Sequence, residues 1–225
     1  MNKIALFDFC ETIANFQTAD AYVDFVRERL SDSRMCRLER MQHFLRAIKF
    51  IQIIEKFTRY RFSINKRIKL WQLRGHNLSE LQALAKEYYQ EKIKPNFIPE
   101  MIERLFELKA RGYSVFLVSG GYDIYLSYFA EENDLSGVIS TKVGFKGDVC
   151  TGKFDGIDCL RDGKTKLLNK YFSSKPAFSV AFSDSITDLP FLKWADEGYV
   201  VSRDKHQVWS TNNNFKEIIW TRNRK

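Results

Sequence analysis

The sequence predicts an α/β fold: a doubly wound, Rossmann-like parallel sheet with an inserted helical cap and a β-hairpin flap. Three observations predict it. Short apolar runs end in polar residues, helix-patterned stretches follow them, and one long helical stretch interrupts this alternation after the first run. The runs are residues 4–7, ending in Asp8; 114–118, ending in Ser119-Gly120-Gly121; 178–182, ending in Ser183-Asp184; and 199–201, ending in Ser202. Such runs suit strands buried on both faces. Helix-like stretches at 19–30, 122–131 and 188–194 follow the first three. Because ligands in such sheets bind beyond the carboxyl ends of the strands, Asp8, Ser119 and Asp184 are expected to converge on one crevice.

The insertion defines the expected organisation: a core domain of residues 1–15 and 95–225, and a helical cap domain of residues 16–94. Within the cap, Phe44, Leu45, Ile48, Ile51, Ile54 and Phe57 recur at helical spacing, which reads as an apolar face giving the cap a core of its own. Two further helices are expected at 78–91 and 99–111. The segment KVGFKGDVCTGKF, residues 142–154, alternates and is punctuated by Gly144, Gly147 and Gly152, the pattern of a hairpin.

Composition narrows the class of protein. With 225 residues, 44% of them hydrophobic, the chain can bury a substantial core, which argues against a disordered or fibrous protein. Its start, MNKIALFDFCETIA, lacks the pattern of a secretory signal, and no apolar run approaches the roughly 20 residues of a membrane span. Cys10, Cys36, Cys150 and Cys159 form no CxxC pair, so neither a zinc site nor a redox motif is indicated. A cytoplasmic protein with reduced thiols is expected. The net charge of +8 is uneven: residues 27–74 hold 14 Lys and Arg against four acids. These charges read as solvated helix faces, as a field drawing in anionic substrates, or as a peripheral contact with an anionic membrane. No nucleic-acid partner is expected, because no binding motif accompanies the charge.

A strand-end carboxylate becomes a phosphoryl acceptor when a divalent metal neutralises the substrate and the site aligns nucleophile and phosphorus. Asp8 has that position. Mg²⁺ takes one or two carboxylates, a substrate oxygen and waters; Asp8 and Asp184 can supply the carboxylates, with Asp188 orienting the metal shell. Ser119 and the N–H groups of Gly120 and Gly121, read as a helix start, would cradle the phosphoryl oxygens. One cation is needed, and GKTKLLNKY offers Lys166, with Lys164 as its substitute.

Together, DFCET at 8–12, LVSGG at 117–121, Lys166 and FSDSITDLPFL at 182–192 resemble the four motifs of haloacid dehalogenase-type phosphatases, most closely the branch containing phosphoserine phosphatase. The resemblance covers nearly the whole chain. It implies that Asp8 is phosphorylated, that Thr12, Ser119 and Lys166 serve the phosphoryl group, and that Asp184, Asp188 and the backbone carbonyl of Cys10 join Asp8 around Mg²⁺. It also implies an acid/base Asp two residues past the nucleophile, where this chain has Cys10, and a substrate-reading acid where it has Gln17. The implied function is a Mg²⁺-dependent phosphomonoesterase acting on a small phosphorylated alcohol or sugar in preference to phosphoserine. Two alternatives stay open: a catalytically weakened relative that binds a phosphorylated ligand, and a lipid-phosphate phosphatase at a membrane surface. For the proton, Cys10, Glu11 and a cap residue are all candidates, and a fourth alternative is a substrate whose leaving group needs little assistance.

Overall fold

The computed structural model describes residues 3–47 and 63–221. Its centre is strand β1 (Lys3–Phe7), whose apolar residues face both sides of the sheet. Ala5 and Phe7 join a core cluster on one face, while Ile4 and Leu6 join a second cluster on the other, the period-two division of a strand covered on both faces. Neighbouring β2 (Ser114–Tyr122) and β6 (Phe178–Ser183) pair with β1 in parallel. The sheet has the order β3-β2-β1-β6-β7-β8, with β3 (Gly137–Thr141), β7 (Glu197–Arg203) and β8 (Lys216–Trp220) completing it, and every pairing parallel. The winding reverses between β1 and β6, so a crevice opens at their carboxyl ends.

The sequence reading places four of these strands and omits two. β3 and β8 are the edges, and their half-exposed residues give no continuous apolar run. β2 also runs past the expected stop: Ser119, Gly120 and Gly121 lie within the strand, with a register shift between Ser119 and Tyr122, and the next helix starts only at Asp123.

The helices after β1 are α1 (Thr18–Leu30), α2 (Ser33–Ala47), α3 (Ile64–Trp71) and α4 (Leu78–Tyr88). The 78–91 stretch is not one helix: after Tyr88 the chain widens into a π-turn over Tyr89–Ile93 and tightens over Lys94–Asn96 around Pro95, which has no N–H to donate to a further turn. Then come α5 (Pro99–Ala110), α6 (Asp123–Glu132), α7 (Asp162–Tyr171), α8 (Leu189–Trp194) and α9 (Val208–Asn212). The hairpin forms as expected, β4 (Val143–Lys146) against β5 (Val149–Phe154), and packs on α3, where Arg67 stacks 4.7 Å from the Phe154 ring.

The inserted helices do not build a separate core. Tyr22 of α1 and Tyr88 of α4 lie 5.4 and 5.5 Å from Tyr125 of α6, and all three belong to the cluster that also holds Ala5 and Phe7. Of the apolar stripe expected to line a cap core, Phe44 is 64% exposed, while Ile48, Ile51, Ile54 and Phe57 lie outside the described residues. Much of the basic charge is internally paired: Lys66 meets Asp158 of the core, and Lys69 and Arg27 meet Asp24 and Glu39. No helix among the described residues is long and apolar enough to cross a membrane.

Candidate active site

Asp8 directly follows β1, and its N–H continues the ladder by donating to the Phe182 carbonyl of β6 at 2.9 Å. That bond fixes its side chain at the mouth of the crevice, where it is only 6% exposed. Asp184 follows β6. Its place depends on Thr12, whose hydroxyl accepts the Asp184 N–H at 3.1 Å and donates to the Asp184 carboxylate at 3.3 Å. Thr12 is fully buried, so it positions Asp184 rather than meeting a ligand.

The cation between the carboxylates is Lys164. Its ammonium lies 3.0 Å from Asp8 Oδ1 and also pairs with Asp188, which accepts the Ser183 hydroxyl at 2.7 Å. Lys166, expected in that role, is exposed on the opposite side of α7. The reason is helical geometry: Lys164 and Leu168 stand four residues apart and share the buried face, whereas a residue two positions on points away. Gly163 lets the helix start sit flush, since a Cβ there would come within 1.9 Å of the Asp158 carbonyl oxygen.

Core and inserted helices enclose a cavity of about 420 Å³. Asp8, Cys10, Gly120, Lys164, Asp184 and Asp188 line it from the core; Gln17, Asp20, Asn65 and Lys66 line it from the helices after β1. Ser119 and Gly121 lie behind the wall. The Ser119 hydroxyl is fully buried and accepts the Gly121 N–H at 3.1 Å. Gly120 reaches the wall because it has no side chain: a Cβ would meet Leu160 at 2.2 Å. Gln17 is exposed, and its amide donates to Glu11 at 2.7 Å. Several wall residues escaped the sequence reading, among them Asp20, Asn65 and Lys66. The first belongs to a helix whose face toward the site is set only by packing.

The electrostatics are unbalanced toward negative charge. Burial raises the Asp8 carboxyl above its ordinary value; Lys164 opposes this and Asp188 adds to it. Asp184 is pushed up to about 8 by burial and then by the charges of Asp8 and Glu11. Burial works against the Lys164 ammonium, yet Asp188 and Asp8 outweigh it and hold its proton more firmly than usual. The Cys10 thiol is pushed up to about 11 by burial and by Asp8, and lies 3.0 Å from the Thr18 hydroxyl.

Among the described residues no three His, Cys, Asp or Glu side chains gather as a metal cage. The four expected ligands, Asp8, Cys10, Asp184 and Asp188, all line the cavity. Asp188 also pairs with Lys164 and accepts the Ser183 hydroxyl, and the contact of the Cys10 thiol with Thr18 does not involve the backbone carbonyl expected at the metal. Asp8 and Asp184, two hard carboxylates of which the first raises the proton affinity of the second, are a donor set that fits Mg²⁺, which needs no more from the protein.

A family model described as haloacid dehalogenase-like hydrolase matches residues 5–193. The chain belongs to the haloacid dehalogenase-like hydrolases. A phosphoserine phosphatase of Methanocaldococcus jannaschii is 26% identical to this hydrolase over 196 residues, which cover 86% of this chain and 82% of the relative. Among solved structures, a protein of unknown function from Bordetella pertussis Tohama I matches with a TM-score of 0.77 at 19% identity, covering 97% of this chain and 98% of the other. A substrate-bound phosphoserine phosphatase matches with a TM-score of 0.63 at 20% identity, covering 97% and 93%. This hydrolase is a phosphatase of the phosphoserine phosphatase-like type, with the Rossmann-like sheet and hairpin that its sequence predicts.

Proposed function

We propose that the chain is a Mg²⁺-dependent phosphomonoester hydrolase that works through a phosphorylated Asp8. The observation that carries this reading is Lys164, buried between Asp8 and Asp188 on the wall of a cavity that Asp184 also lines. Mg²⁺ held by Asp8 and Asp184 would neutralise the phosphoryl dianion and the surplus negative charge of the wall. Lys164 orients the Asp8 carboxylate and offers its remaining proton to a phosphoryl oxygen; Asp188, anchored by Ser183, keeps that ammonium in place. Thr12 holds Asp184, Gly120 lets a phosphoryl group approach the backbone, and Ser119 supports Gly121 from behind.

The helices of residues 16–94 act in this reading as a cap that excludes water and selects the substrate. Their contribution to the wall is mainly short and polar, with Gln17, Ser63 and Asn65 among the residues there, which suits a small hydroxylated phosphate ester. Phosphoserine, the substrate in its relatives' names, is disfavoured at the one position where the resemblance implies an acid for its ammonium group, because Gln17 there offers an amide already engaged with Glu11. A cytoplasmic setting and a small phosphorylated partner accord with this reading.

The test is release of phosphate from a phosphomonoester panel, including sugar and lipid phosphates, with and without Mg²⁺. Turnover should require the metal and drop to the blank in Asp8→Asn. Absence of release across the whole panel, or release that survives Asp8→Asn, overturns the proposal.

A further inference from the structure

Cleaving a phosphomonoester leaves an alkoxide, and a positioned acid that protonates it is typically worth about 10²–10⁴-fold. The position two residues past Asp8 cannot supply this acid well. Cys10 is a thiol, a weak donor, and its sulfur is engaged with the Thr18 hydroxyl at 3.0 Å. Of the other carboxyls on the wall, Asp8 and Asp184 are the proposed metal pair, Asp188 is held by Lys164 and Ser183, and Glu11 accepts the Gln17 amide at 2.7 Å. Asp20 remains.

Asp20 stands in the first turn of α1, on the side of the cavity formed by the inserted helices. Among the described residues its one ion-pair partner is Arg46, at 3.8 Å, too far for a hydrogen bond, so both carboxyl oxygens are available to a ligand. The charged groups facing it are Lys66 and Lys69 of α3, Arg46 of α2 and Asp24 of its own helix. Burial outweighs the three cations and holds the Asp20 carboxyl above its ordinary value, which suits a group that must carry a proton at one step and accept one at the next.

We infer that Asp20 is the general acid and base of this phosphatase, supplied from the cap in place of the core residue that Cys10 replaces. The inference rests on the reading of Asp8 as nucleophile. In the first half-reaction an Asp8 oxygen bonds phosphorus and the ester P–O bond breaks. Its electron pair stays on the leaving oxygen, which takes the Asp20 proton and departs as a neutral alcohol. In the second, the Asp20 carboxylate takes a proton from water as the water oxygen bonds phosphorus. The bond to Asp8 breaks, its electrons return to the Asp8 carboxylate, inorganic phosphate leaves, and Asp20 is again protonated.

The test compares p-nitrophenyl phosphate with phenyl phosphate, near-identical in shape but unequal in leaving ability. Both are measured with Mg²⁺ on the full chain and on its Asp20→Asn variant across the neutral pH range. Loss of a general acid should lower kcat/KM for phenyl phosphate at least about ten-fold more than for p-nitrophenyl phosphate, and remove the alkaline limb of the phenyl phosphate profile. Adding Cys10→Asp to Asp20→Asn should restore most of the loss. An equal fall on both substrates, or no fall, overturns the inference, because a binding or folding role does not depend on the leaving group. If the unaltered chain hydrolyses neither these esters nor any other of the panel, or if Asp8→Asn hydrolyses both, the nucleophile reading falls instead and takes this one with it.

Discussion

Among the described residues two buried lysines each stand between two carboxylates, and the two clusters behave oppositely. In the sheet, Lys164 sits between Asp8 and Asp188; in the inserted helices, Lys69 sits between Asp24 and Glu39, at 2.6 and 2.9 Å. The cap cluster is compensated: Arg27 adds a second cation, and Gln72 donates to Glu39 at 2.9 Å. Burial alone would raise the Glu39 carboxyl, but the Gln72 and Lys69 hydrogen bonds and the Lys69 and Arg27 charges outweigh it and hold it below its ordinary value. The sheet cluster is undercompensated. One ammonium faces three carboxylates, counting Asp184; burial and the charge of Asp188 leave Asp8 raised, and burial and the charges of Asp8 and Glu11 leave Asp184 raised. A buried ion cluster that satisfies its own charge holds helices together, whereas one left short of a cation is poised to take up a metal and a phosphoryl group.

The contrast can be broken at each lysine. Lys164→Met should lower kcat by about 10³-fold, because a donor to the transferring phosphoryl group is lost along with the cation that orients Asp8; an activity assay on folded protein checks this. Lys69→Met should instead leave turnover per folded molecule close to that of the parent and cost about 3 kcal/mol of stability in urea unfolding. That is the low end of the range for a broken buried pair, since Asp24 stays about a third exposed. Reversal of the two outcomes would erase the distinction between the clusters.

The missing cation gives a third, smaller effect. The folded-state pKa of Asp184, about 8, lies above the ordinary value of about 3.9, so the folded metal-free protein retains a proton that the unfolded chain releases. The stability this proton confers is complete below about pH 4 and is lost as pH rises through about 8. In the proposed site Mg²⁺ would replace the proton. At a hundredfold excess over Kd it should raise Tm by roughly 5–10 °C above that pH and by much less at about pH 5. An equal gain at both pH values would show that the metal does not answer the Asp184 charge. The smallest effect belongs to Lys166→Ala, which should change stability by less than about 0.5 kcal/mol and activity hardly at all, because its side chain is exposed.

Much of this site is legible from local pattern. Asp8 and Asp184 end apolar runs, and a strand buried on both faces delivers the residue after it to the carboxyl edge of the sheet. Lys164 is also legible, since its spacing to Leu168 marks the buried face of α7 that Lys166 cannot share. The edge strands β3 and β8 are not, because half-exposed strands lose the apolar signal. Nor is the reach of β2 through Gly121, where glycines that read as a turn serve a close approach to Leu160.

The sequence by itself determined the four inner strands in their order, the hairpin, the resemblance to the family, and the two aspartates that follow β1 and β6, because each depends on residues near one another in the chain. Tertiary structure alone decided that Thr12 holds Asp184 across 172 positions, that the inserted helices share the core of the sheet, and that Asp20, with Arg46 3.8 Å away, lines the same cavity as Asp8. Such pairings arise only when separately formed elements pack, and no local periodicity records which side chains will then meet.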